Sequence, residues 1–178
     1  MAVWVLIGFL SFLFILDGTV LQWLVPQAWG SDIVFISRLM VSGIIILSLF
    51  RGRRSGLVYG FCFGLLYDMV YGQAIGVFAF TTACIGYISG LISRQFISGP
   101  IIALLATGIS QSIHLIMSYG WLRLFDITLI GWQEAFVYHI IPSVIFNTVI
   151  AFPVYLGIKW ILKRFAPDLA PMFQSKWR

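Results

Sequence analysis

The stretch from Ser55 to Gly72, SGLVYGFCFGLLYDMVYG, decides the architecture. It is apolar, carries no charge before Asp68, and approaches the roughly 20 residues a helix needs to cross a hydrocarbon core. Within it Gly56, Gly60 and Gly64 recur every fourth residue, and Asp68, Gly72 and Gly76 continue the row. Four residues make slightly more than one helical turn, so the row forms one slowly drifting face on which another backbone can approach closely. The expectation is a membrane-spanning helix whose small-residue face either packs within the molecule or receives a partner.

Working outward, the whole chain shares this character. Of its 178 residues 61% are hydrophobic and 10% charged, and the mean hydropathy is +1.01, against roughly 25% charged residues in an ordinary soluble domain. Five further apolar runs of spanning length flank the first, giving six spans at Val3–Val25, Ile33–Phe50, Ser55–Gly72, Ala74–Ser93, Gly99–Leu122 and Ala135–Ile158. What remains is too short for a soluble domain, so the sequence predicts an all-α integral membrane protein, a six-transmembrane-helix bundle forming one domain over residues 1–178. The N-terminal run MAVWVLIGFL lacks a basic leader and a small-residue cleavage site, and reads as a retained span.

Net charge is +5, but the basic residues are scattered over short connections rather than gathered on one polar element, which argues for topology signals and against nucleic acid. Arg51, Arg53, Arg54, Arg94, Lys159, Lys163, Arg164, Lys176 and Arg178 share one side if the spans alternate, while Arg123 alone falls opposite. Both termini, including the tail 159–178, are therefore expected in the cytoplasm. In that tail Pro167 and Pro171 argue against a long helix. Trp4 and Trp160 fall at inner span ends and Trp23, Trp29, Trp121 and Trp132 at outer ends, where amphipathic rings collect. The outer connection Arg123–Glu134, RLFDITLIGWQE, is too apolar for a free loop; it is either an interfacial helix or a loop packed on the bundle.

Asp17, Arg38 and Asp68 are the charges inside spans, each costing about 2.5 to 3.5 kcal/mol at a helix centre. At about 1.5 Å rise per residue all three lie about 6 to 12 Å below the outer surface. A tight hairpin between the first two spans would set Asp17 beside Arg38 as an ion pair, with Asp68 within reach. Thr107, Gln111, His114 and Ser118 form a polar stripe on the fifth span, and His139, Ser143 and Asn147 another on the sixth. Two readings stand for the outward cluster of Asp17, Arg38, Asp68, His114 and His139: charges and amides that bond helix to helix, or the lining of a cavity for a ligand or partner. The histidines have no acidic ligand at metal spacing, and no nucleophile stands beside a base, so neither metal, cofactor nor catalysis is expected. Cys62 and Cys84 lie within apolar runs as small hydrophobes. Pro142 and Pro153 should kink the last span.

The segment RRSGLVYGFCFGLLYDMVYGQAIGVFAF, Arg53 to Phe80, resembles the rod-shape-determining protein family MreD. There a basic turn precedes a glycine-spaced span that ends in a G-L-L-x-D element, here Gly64, Leu65, Leu66 and Asp68, with Gly72 and Gly76 supplying the glycines that follow. The resemblance covers this stretch, and elsewhere extends to topology. It implies a non-catalytic subunit of the bacterial elongasome in the inner membrane. Such a subunit binds MreC and acts with RodA, its penicillin-binding transpeptidase and MreB in lateral peptidoglycan synthesis and rod cell shape. The fold is also similar to the S components of energy-coupling-factor (ECF) vitamin transporters, and a vitamin-binding S component is the alternative. The first span carries Gly8 and Ser11 but not the Ala-xxx-Ala face common in those proteins.

Overall fold

The computed structural model describes residues 2–19, 35–72, 75–96 and 99–165. These form six helices and no strand: α1 (Ala2–Gly18), α2 (Leu39–Arg51), α3 (Arg53–Tyr71), α4 (Val77–Phe96), α5 (Pro100–Leu124) and α6 (Trp132–Phe165). By length and composition α5 and α6 can each cross a membrane, and the apolar surface of the others is compatible with a lipid setting. The expected hairpin link between the first two spans, and the expectation for the tail beyond Phe165, lie outside the described residues.

The centre is α2. Every residue from Leu39 to Phe50 is buried, and the helix touches α1, α3, α4, α5 and α6. Ile44, Ile45, Ile46 and Leu47 are fully enclosed, which an amphipathic surface helix never permits. Around it polarity runs inside out. Ser42, Thr82, Ser89, Thr107, Gln111, His114, Ser143 and Asn147 are at most 1% exposed, while Phe12, Phe61, Met69, Leu105, Ile109, Ile145 and Val149 are all more than half exposed. Water disfavours that distribution and hydrocarbon favours it.

Two boundaries differ from expectation for physical reasons. The second span, expected to be helical from Ile33, is non-helical over residues 35–38, and α2 starts only at Leu39. Its thirteen helical residues reach about 20 Å, less than the thickness of a hydrocarbon core. The sixth helix starts and ends beyond the expected 135–158. It contains a π-helical turn, Ala135–Ile140, next to Pro142. Proline lacks the N–H that would bond the preceding turn and its ring crowds that carbonyl, which a widened turn accommodates. Of the two expected readings for the Arg123–Glu134 connection, a packed loop is found over Phe125–Gly131. The Tyr119 hydroxyl and the Arg123 guanidinium both donate to the Ile130 carbonyl, and Trp132 packs edge-on against Tyr119.

Candidate functional site

The two buried carboxylates act on backbone. Asp17, from α1, accepts the amides of Leu39 at 2.8 Å and Met40 at 2.9 Å and the Ser37 hydroxyl at 2.5 Å. It caps the start of α2 from another helix, satisfying amides that have no partner within their own helix. Asp68, at the end of α3, does the same for α4: it accepts from Gly76 at 2.9 Å, Phe78 at 3.0 Å and Ala79 at 2.9 Å. Gly76 sits at φ +103°, a conformation side-chain-bearing residues rarely adopt, and this turns its amide into the carboxylate. A negative charge at a helix start is favourable on electrostatic grounds as well.

The non-helical residues before α2 are held by α6. Ser143 accepts the Ile36 amide at 2.8 Å, and the Asn147 side chain accepts the Arg38 amide and donates to the Ile36 carbonyl, both at 2.8 Å. From α5, Gln111 donates to the Arg38 carbonyl at 3.1 Å and to the Ser42 hydroxyl at 2.7 Å. Unwound backbone within a membrane survives only where protein supplies its hydrogen bonds, and here the polar stripes of both helices supply them. Ser89 and Ser110 join α4 to α5 at 3.0 Å, and Thr82 meets the His114 ring at 3.2 Å.

Among the described residues Arg38 has no carboxylate within ion-pair distance, so the expected pair with Asp17 is replaced by two separate solutions. Asp17 is engaged by the start of α2, and Arg38 turns to aromatic faces. Its Cζ lies 4.6 Å from the ring centroids of both Tyr67 and Phe78, and those rings are 5.0 Å from each other. Arg38, Asp17, Asp68 and His114 are all buried, whereas His139 is half-buried in the π-helical turn and gives its carbonyl to Ser143. The aromatic corner of Tyr67 and Phe78 has no signal in residue spacing.

The glycine row is a helix-packing face, and α4 covers it. A Cβ at Gly60 would stand 2.6 Å from the Thr82 carbonyl oxygen, and one at Gly64 2.7 Å from the Ala79 Cα. Gly56 and Gly86 press on each other's carbonyls, and Gly90 abuts the Arg53 backbone. Over Gly56, Gly60 and Gly64 the expectation that this face could receive a partner is corrected, because two backbones in van der Waals contact leave no room; at Gly76 nothing lies within 4 Å of the Cβ position. Gly72 ends α3 with its amide on the Asp68 carbonyl.

The chain belongs to the MreD family: residues 2–165 match the family model of the rod shape-determining protein MreD. It is similar to the rod shape-determining protein MreD of Bacillus subtilis (strain 168), 23% identical over 116 residues that cover 65% of this chain and 67% of the relative. No solved structure matches significantly. Membership gives the protein a role in determining cell shape.

Proposed function

We propose that the chain is a non-catalytic scaffold subunit of the machinery that builds the lateral cell wall, a six-span inner-membrane bundle with both termini in the cytoplasm. In that role it binds MreC and supports RodA, its penicillin-binding transpeptidase and MreB. The observation that carries the reading is family membership over residues 2–165. The chemistry of the core is in keeping with a structural role: among the described residues the buried carboxylates are engaged by helix starts and the Asn147 amide by unwound backbone. Partner helices then meet the apolar exterior, since Gly56, Gly60 and Gly64 are covered by α4. Affinity purification of the tagged protein from its native membrane tests this. MreC should co-elute in stoichiometric amount, and repeated purification without it would overturn the assignment.

A further inference from the structure

Arg38, whose guanidinium is a permanent cation, is 8% exposed. Among the described residues no carboxylate lies within ion-pair distance of it. Tyr67 and Phe78 lie closer to each other than opposite rings could, so both support the guanidinium from the same side. Among the described residues Nε and Nη1 then have no hydrogen-bond partner. Three atoms on the inward face of α5 share this condition: Gln111 Oε1, His114 Nδ1 and Ser118 Oγ. Gln111 is anchored to the Arg38 carbonyl, and the His114 ring lies 6.4 Å from Phe78, so Gln111 and His114 sit beside the arginine; Ser118 lies one turn further along α5. In the tautomer in which Nε2 accepts from the Thr82 hydroxyl, one of the two that the 3.2 Å contact allows, the His114 Nδ1 carries the hydrogen. Buried polar atoms are nearly always paired in native proteins, and an unpaired buried charge is especially costly.

The set consists of a permanent cation, an N–H and a hydroxyl as donors, and one amide oxygen as acceptor. We propose that Arg38, His114 and Ser118 bind an oxyanion, a phosphoryl or carboxylate group, with Gln111 accepting from a hydroxyl that it carries. Arginine N–H pairs suit such oxygens geometrically. Beyond the cluster an open cleft of about 390 Å³ is lined by Ile75, Gly76, Val77, Phe80, Trp121 and Phe125. Val77 adjoins Phe78, and Trp121 follows Ser118 by about one turn, so the cleft leads toward the outer end of the cluster. Its apolar lining suits an acyl chain, which makes an acidic amphiphile the fitting occupant. The unpaired atoms are shielded and do not line the cleft, so binding requires α4 and α5 to part there to admit the headgroup.

The test uses the isolated full-length chain, so its failure is distinct from failure to bind MreC. Native mass spectrometry of the purified protein should show about one retained acidic phospholipid per chain. In nanodiscs the melting temperature should rise when phosphatidylglycerol is added to phosphatidylcholine. An equal rise with inorganic phosphate in pure phosphatidylcholine, against chloride of matched ionic strength, would identify a free anion as the occupant. Arg38→Gln and Ser118→Leu should lower retention roughly tenfold or more, while Arg123→Gln, exposed in the last turn of α5, should retain it. Wild-type protein with no retained acidic species and one melting temperature in all three media overturns the proposal. So does folded Arg38→Gln protein that retains lipid like wild type.

Discussion

Asp17 shows how one side chain can define where a helix begins. Leu39 and Met40 would otherwise bury two amides without partners, each costing about 1 to 3 kcal/mol. Asp17→Ala should therefore destabilise the protein by on the order of 3 kcal/mol, read as a lower midpoint in denaturation by sodium dodecyl sulfate. Asp17→Asn keeps one acceptor oxygen and should fall between the two. The charge at this position was legible in the sequence, since a carboxylate within a span needs compensation. Its partner was not. Side-chain spacing relates one side chain to another, whereas Asp17 is satisfied largely by backbone that only an interrupted helix exposes.

The seam between α3 and α4 is the best-specified feature at the scale of elements, because four-residue glycine spacing has few uses other than close helix contact. Spacing alone leaves open which helix takes the contact, and the answer lies in Gly86 and Gly90, which meet Gly56 and the Arg53 backbone. Gly60→Leu should wedge the helices apart, giving low yield and aggregation on size-exclusion chromatography. Gly8→Leu, with nothing within 4 Å of its Cβ, should elute like wild type. The interruption before α2 was not legible: Phe35 to Arg38, FISR, carries neither proline nor glycine. Its cause lies more than a hundred residues away, in Ser143 and Asn147. Asn147→Leu removes an acceptor and a donor together and should cost more than Ser143→Ala, a ranking that thermal unfolding of the two variants would check.

For the whole molecule, the inside-out distribution of polarity follows from composition and from the stripes on α5 and α6, so the class of fold was legible even where helix ends were not. The proposed orientation makes a direct prediction. In a background lacking Cys62 and Cys84, Leu129→Cys, at a position 94% exposed, should react with an impermeant maleimide added to intact spheroplasts, and Arg54→Cys only after lysis. The reverse pattern would invert the topology.

The clasp between residues 36–38 and α6 joins the early part of the chain to its end. A nascent polypeptide leaving the ribosome cannot complete it until the final helix has been made. Up to that moment the bare peptide groups ahead of α2 face lipid or the insertion machinery. Products truncated before Ser143 should therefore be cleared by membrane proteases even though five of the six helices are present, so synthesis of the last helix acts as a checkpoint for the first half of the protein.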